Sequence, residues 1–354
     1  MKIAIAAGGT AGHVFPAMAV YQRLIADGAE ATLLTDERGS RYADGFDPAH
    51  VITLPSGGIV TGSVKTRLTN LGKLADGYRK SRAVLKRLSP DAVVGMGGYA
   101  AVGPLVSASR MGIRTVLHEQ NSVMGLSNKV SARSADVIAL SFDATEGARG
   151  NCVVTGNPSR PEVVAVGEQP YPTPTDDGRI GVLVMGGSQG ARSVSQRVPA
   201  ALGALAPELV SRLAVIHQAR AEDHDDVIAA YRDAGVAAEV HAFVDVPAAL
   251  ADGHLVIARS GATTVCDVAV ARRPAVYLPL LTHKDLQQVK NADAVAQRGG
   301  AIMHREDQGS VADLTDAVDR LLRDPAALTS MADSARAWSK PDAVEAIMAL
   351  IAGG

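Results

Sequence analysis

In Gly8-Gly9-Thr10-Ala11-Gly12-His13 a histidine follows directly on a glycine-rich run, and an apolar stretch follows the histidine. Glycines let a backbone turn sharply and approach a ligand closely. The residues after them read as the start of a helix, whose free N–H groups and positive dipole end favour an anion. A histidine there is disfavoured as a cation, which keeps it neutral near pH 7 and suits it to accept a proton. A second turn, Gly186-Gly187-Ser188-Gln189-Gly190-Ala191-Arg192, adds side-chain donors at Ser188 and Gln189 and reads as a phosphate cradle. Neither turn is the G-x-G-x-x-G dinucleotide fingerprint, although Asp36-Glu37 stands near the acidic position of that pattern. A dinucleotide-dependent oxidoreductase is therefore one alternative.

The elements that must hold these turns are short and repetitive. Continuous apolar runs occur at 2–7, 31–35, 92–96, 115–119 and 136–140, and again at 179–185, 213–217, 238–243, 254–258, 274–280 and 301–304. Unbroken runs of this kind suit parallel strands buried on both faces. Helical patterns lie between them. Val14, Met18, Tyr21 and Ile25 form one stripe, and Gly28 is placed to end that helix. The rhythm implies an α/β protein with doubly wound parallel sheets. It pauses over 156–178, which holds five prolines. The expected layout is two Rossmann-like domains facing a cleft, at 1–158 and 178–335, with a linker at 159–177. A C-terminal helix at 336–354 could return to the first domain.

The 354 residues suffice for two such domains, and 47% hydrophobic with 20% charged residues suits a soluble globular chain. Aromatic residues are only 3%, so the core must be built from Ala, Val, Leu and Ile. The two cysteines, Cys152 and Cys266, have no metal-site spacing. The N-terminus lacks a signal-peptide pattern, which points to the cytoplasm. The net charge of −2 divides unevenly, with 18 Lys+Arg against 12 Asp+Glu in residues 1–160. A basic first half suits a negative partner.

Seven segments fall in a characteristic order: GGTAGHVFPA (8–17), GMGGYAAVGP (95–104), HEQNSVMGLSNK (118–129), GNPSR (156–160), GGSQGAR (186–192), RSGATTVCDVA (259–269) and HKDLQQVKNA (283–292). Together they resemble the MurG family, the UDP-N-acetylglucosamine:lipid I N-acetylglucosaminyltransferases of peptidoglycan synthesis, over nearly the whole chain. The resemblance implies a GT-B fold and a single displacement that inverts the donor's α linkage. GlcNAc would pass from UDP-GlcNAc to the C4 hydroxyl of MurNAc in undecaprenyl-pyrophosphoryl-MurNAc-pentapeptide, giving lipid II. It implies no metal and no cofactor, and a peripheral place on the cytoplasmic face of the plasma membrane, with cell-wall and division proteins as possible neighbours.

The resemblance also assigns residues. His13 is the expected base and Glu119 the second choice. Arg160, Ser188 and Gln189, taken with the C-terminal domain, would meet the donor phosphates. Val244 would offer its backbone to uracil, and the helix opening at Ala262, Thr263 and Thr264 would face the diphosphate. Asp267 would hold the ribose, and Gln287 and Gln288 the GlcNAc hydroxyls, since an amide both donates and accepts. From the N-terminal domain Thr10, Ala11, Gly12 and Asn121 would reach UDP-GlcNAc, on the side where Tyr99 and His118 receive the acceptor. Three departures from the family pattern stand out: Ala11 replaces a glycine, Asp267 replaces a glutamate, and Ala219-Arg220-Ala221 replaces a small-residue turn with glycine.

The stretch 57–88 carries Lys65, Arg67, Lys73, Arg79, Lys80, Arg82, Lys86 and Arg87 against Asp76, with apolar residues between them. Docking on an anionic membrane surface fits this pattern; nucleic acid fits less well in a near-neutral chain without a recognition motif. Other rivals are a UDP-GlcNAc 2-epimerase-like isomerase, a GT-B transferase with another acceptor, and a non-catalytic nucleotide-sugar binder.

Overall fold

Every apolar run named above becomes a strand. The structure is a computed structural model that describes residues 1–57, 64–175, 178–187, 191–282 and 285–353, without the side chains of 64–71. Two compact units emerge, one of Met1–Arg160 with Lys340–Gly354 and one of Pro161–Ser339.

The N-terminal unit carries β1 (Lys2–Ala6), β2 (Glu30–Thr35), β3 (Val51–Thr53), β4 (Ala92–Gly95), β5 (Arg114–Glu119), β6 (Val137–Leu140) and β7 (Cys152–Val154). All pair in parallel, in the order β3-β2-β1-β4-β5-β6-β7. Its helices are α1 (Ala11–Ala26), α2 (Val64–Leu88), α3 (Tyr99–Arg110) and α4 (Leu126–Ser131). The C-terminal unit begins with α5 (Pro161–Glu168), inside the proline-rich stretch, and holds β8 (Ile180–Met185), β9 (Leu213–Gln218), β10 (Ala237–His241), β11 (Leu255–Ala258), β12 (Ala275–Tyr277) and β13 (Ala301–Met303). This sheet is also parallel, in the order β10-β9-β8-β11-β12-β13. Around it lie α6 (Arg192–Gly203), α7 (Pro207–Val210), α8 (His224–Asp233), α9 (Val246–Asp252), α10 (Ala262–Val270), α11 (Gln287–Ala296), α12 (Val311–Leu322) and α13 (Pro325–Trp338). Among the described residues no helix is long and apolar enough to cross a membrane.

Side-chain alternation explains the layering of the N-terminal unit. Ile3 and Ile5 face a core shared with Val14, Val20 and Leu24. Ala4 and Ala6 face the opposite core with Ala101 and Leu105. The last helix, α14 (Ala343–Ala352), belongs to the N-terminal unit, because Ile347, Leu350 and Ile351 complete the first of these cores. In α1 the buried stripe is rotated from the expected one. Leu24 is fully buried and Ile25 is 44% exposed, because the small Ala17, not Met18, centres the face laid on the sheet. Gly28 ends α1 as expected, at φ +75°. The hydrogen bonds Gly28 N–H to Ile25 O and Ala29 N–H to Leu24 O close a Schellman turn.

This packing sets a contrast. Ile347→Ala removes a fully buried side chain and should cost about 2–5 kcal/mol of stability. Ile25→Ala should stay within about 0.5 kcal/mol. Urea unfolding read by hydrogen exchange of β1 and β5 measures both, and equal losses would contradict the packing described.

Candidate active site

Ligands of open parallel sheets bind beyond the carboxyl ends of the strands where the strand order reverses. In the N-terminal unit that place is the β1/β4 boundary. The turn after β1 carries Gly8 and Gly9, and the turn after β4 carries Gly97 and Gly98. The two turns touch, since a Cβ on Gly98 would lie 2.6 Å from the Gly8 carbonyl oxygen. Asp36, at the end of β2, pins the first turn. Its Oδ1 accepts from Gly9 N at 2.9 Å and Gly39 N at 2.8 Å, and its Oδ2 accepts from Ser56 Oγ at 2.7 Å. Burial works to raise the Asp36 pKa, but these donors and Arg38 outweigh it and hold it below the usual aspartate range. Both of its oxygens are committed to the fold, so Asp36 serves the turn and does not take the ribose-binding part of a dinucleotide pattern. The positive φ of the turn falls on Gly9, at +84°, while Ala11 opens α1 without one, so alanine fits there unstrained.

His13 stands in the first turn of α1 and is half-buried. Its Nδ1 lies 2.9 Å from Gly8 O and 3.1 Å from Thr10 Oγ1. A carbonyl only accepts, so Nδ1 carries the proton and Nε2 keeps the lone pair. Desolvation is the main reason that the His13 pKa is lowered; the Gly8 carbonyl and Asp36 oppose it, and Arg38 assists. The ring lies against Gly97, at φ +92°, where a Cβ would come 2.7 Å from His13 Cδ2. Thr10 is the N-cap residue of α1, Gly12 is beside His13, and Tyr99 is the half-buried first residue of α3.

The end of β5 supplies struts. His118 is fully buried; its Nε2 donates to Gly156 O at 3.1 Å and its Nδ1 accepts from Gln120 Nε2 at 3.1 Å. Burial lowers its pKa to about 4. With both ring nitrogens engaged, His118 offers no free atom to an acceptor. Glu119 is 1% exposed. Its Oε1 accepts from Asn121 N and its Oε2 from Gly125 N, both at 2.9 Å, and Oε2 also accepts from Asn128 Nδ2 at 2.8 Å. Burial raises its pKa against these donors. This geometry makes Glu119 the clamp of the loop that carries Asn121, with no oxygen turned to an incoming hydroxyl. Arg114 does not pair with it and donates instead to Leu350 O.

In the C-terminal unit the order reverses at β8/β11. Ser188 and Gln189, which follow β8 in the sequence, lie outside the described residues. Ala262, Thr263 and Thr264 form the first turn of α10, whose N-cap is Gly261 and which has no side-chain cap. A glycine at the N-cap brings no capping oxygen of its own to the first-turn N–H groups. Asp267 is in the next turn, 9% exposed. Gln287 and Gln288 open α11, and Gln288 Oε1 accepts from Leu280 N at 2.9 Å. This bond anchors the carbonyl end of the Gln288 amide to the backbone and makes Nε2 its donor end. Ser260 Oγ donates to Gln288 O and Asn291 Nδ2 to Ser260 O, tying the α11 start to the end of β11. Val244 is half-buried just ahead of α9, whose N-cap Asp245 accepts from Ala248 N. Arg160 is placed in the N-terminal unit, not the C-terminal one, with its guanidinium 5.7 Å from the centre of the Phe15 ring. Gln120, Asn128, Ser260 and Asn291 were not singled out by residue type, and Asp36 only for a dinucleotide pattern; their partners are mostly backbone groups, which leave no mark in a sequence.

On α2, Lys73, Arg79, Lys80 and Arg82 are exposed, and the side chains of Lys65 and Arg67 lie outside the described residues. Asp76 pairs with Lys80 at 2.9 Å and Arg79 at 3.1 Å.

Comparison with known proteins agrees with this geometry. Residues 3–140 match the glycosyltransferase family 28 N-terminal domain, and residues 181–347 match the family 28 C-terminal domain. The UDP-N-acetylglucosamine--N-acetylmuramyl-(pentapeptide) pyrophosphoryl-undecaprenol N-acetylglucosamine transferase of Sinorhizobium fredii is 41% identical over 99% of this chain and 94% of its own. The crystal structure of Acinetobacter baumannii MurG superposes with a TM-score of 0.78 at 30% identity, covering 100% of this chain and 99% of that one. A UDP-GlcNAc 2-epimerase from Neisseria meningitidis has a TM-score of 0.68 over 100% of both chains at 11% identity, a likeness of fold alone. The chain belongs to the MurG family of glycosyltransferase family 28, with the two parallel-sheet domains of the GT-B fold.

Proposed function

We propose that this enzyme transfers GlcNAc from UDP-GlcNAc to the C4 hydroxyl of MurNAc in undecaprenyl-pyrophosphoryl-MurNAc-pentapeptide, with inversion, and that His13 is the base. The observation that carries the role of His13 is the 2.9 Å contact of its Nδ1 with Gly8 O, which leaves the lone pair on Nε2. In the reaction the acceptor O–H bond breaks and its proton goes to Nε2. The oxygen bonds to C1 of GlcNAc, and the bond from C1 to the diphosphate oxygen breaks, releasing UDP. The N-terminus of α10, which starts on Gly261, would stabilise by its dipole the charge that develops on UDP, with Arg160 as a further cation. Gln287 and the Nε2–H of Gln288 would bind the sugar hydroxyls. Asp267, shorter than the family's glutamate and largely buried, needs the ribose close to α10. His118, Glu119 and Asp36 act by position.

The reading has a direct assay: transfer of labelled GlcNAc from UDP-GlcNAc to a short-chain lipid I analogue. His13→Ala should lose on the order of 10²-fold or more in kcat/KM. Because the pKa of His13 is lowered from the ordinary 6.5, the basic form is lost only as pH falls through that lowered value, so the acidic limb of the wild-type kcat/KM should have its midpoint below pH 6.5. Full transfer by His13→Ala would remove His13 from the chemistry. Conversion of UDP-GlcNAc without any acceptor would favour the epimerase reading.

The acceptor is a membrane lipid, and the exposed basic face of α2 would dock on the anionic cytoplasmic surface. Leu126 and Val130, one turn apart on α4 and 48% and 43% exposed, would add apolar contact. Lys80 and Arg79 are partly neutralised by Asp76, so Lys73 and Arg82 are the better probes. Reversing both to Glu should weaken binding to phosphatidylglycerol vesicles about tenfold or more at low salt. Unchanged binding would remove this face from the docking surface.

A further inference from the structure

Gln120 is 2% exposed and follows directly on β5. Its Nε2 donates to Met96 O at 2.6 Å and to His118 Nδ1 at 3.1 Å. The Met96 carbonyl can only accept, so the amide orientation is settled and Oε1 is the remaining atom. Among the described residues Oε1 has no hydrogen-bond partner. It is also aimed at a particular place. The point where a Cβ of Gly97 would stand is 3.0 Å from Gln120 Oε1 and 3.1 Å from His13 Nε2. Both atoms thus border the space that Gly97 leaves open by having no side chain. A buried amide oxygen without a partner is costly, unless something in the working cycle supplies one.

We infer that Gln120 is a positioning residue for proton transfer, its Oε1 accepting the Nε2–H of His13, directly or across one water, once the acceptor hydroxyl has given up its proton. Before transfer Nε2 has a lone pair and no hydrogen, so it has nothing to donate to Oε1. After transfer Nε2–H is a cationic donor bordering the same gap as a carbonyl oxygen that has no other partner among the described residues. The interaction therefore strengthens as charge forms on the ring, which is what a catalytic contact must do. His118 and Met96 hold the amide, so the turn after β4, the end of β5 and the start of α1 meet in one device. The inference rests on the reading of His13 as base.

The other charged and titratable groups acting on His13 are Asp36 at the end of β2, Arg38 just after it, and His118 on β5. Among the described residues Asp36 and Arg38 make no hydrogen bond with Gln120, and both variants remove the same donor to His118 Nδ1, so the difference between the His13 midpoints of Gln120→Met and Gln120→Glu reads the group that stands in place of the amide oxygen. The NMR titration of the His13 ring, assigned by its loss in His13→Ala, should move down by about one pH unit in Gln120→Met and up by about one in Gln120→Glu. The acidic limb of kcat/KM should move with it. Loss of the Met96 and His118 contacts alone would lower the melting temperature and leave the His13 midpoint in place; that result in Gln120→Met overturns the inference. Should Gln120→Met not fold, an unraised midpoint in Gln120→Glu overturns it instead. The titration needs no turnover, so transfer retained by His13→Ala would refute the base while the contact between Gln120 and His13 could still be measured.

Discussion

A backbone carbonyl can only accept a hydrogen bond, and that of Gly8 stands 2.9 Å from His13 Nδ1. This one contact decides which nitrogen carries a proton and which can take one. It holds only while the turn that presents Gly8 is held, and Asp36 does that through the N–H groups of Gly9 and Gly39. Three strands are tied together here: β1 supplies the turn, β2 the carboxylate, and β4 the glycines on which the imidazole rests.

The buried polar groups divide into struts and working atoms. His118, Glu119 and Asp36 each have their side-chain atoms committed to neighbours within the unit. A catalytic group needs an atom left over. His13 Nε2 and Gln120 Oε1 are such atoms, and they border the same gap at Gly97. In the C-terminal unit α10 starts on Gly261, which brings no capping side chain of its own. Ser260 and Asn291 hold the start of α11 to the end of β11.

Much of this was legible in the residues. Strands buried on both faces read as unbroken apolar runs, so most strands of the two sheets could be placed, while their order, and with it the switch points, came from the fold. The edge strands β3 and β7 could not be placed, being only three residues long, with β7 exposed throughout. The stripe of α1 was drawn through Ile25 because Leu24 and Ile25 are equally apolar, and only the seat of Ala17 on the sheet chooses between them. His13 was legible from its place after the glycines. Whether Glu119 was base or strut was not, because its partners are mainly the N–H groups of Asn121 and Gly125, which any residue would offer. Gln120 escaped notice for a related reason: its meaning lies in an atom left unpaired, and pairing is a property of the fold.

The central claim is a tautomer: neutral His13 with the proton on Nδ1 and the lone pair on Nε2. ¹⁵N shifts of the labelled imidazole at pH 7 report it directly. The account predicts a protonated Nδ1 and an unprotonated Nε2 for His13. A proton on Nε2 with Nδ1 bare, or on both, would contradict the Gly8 contact and the base built upon it.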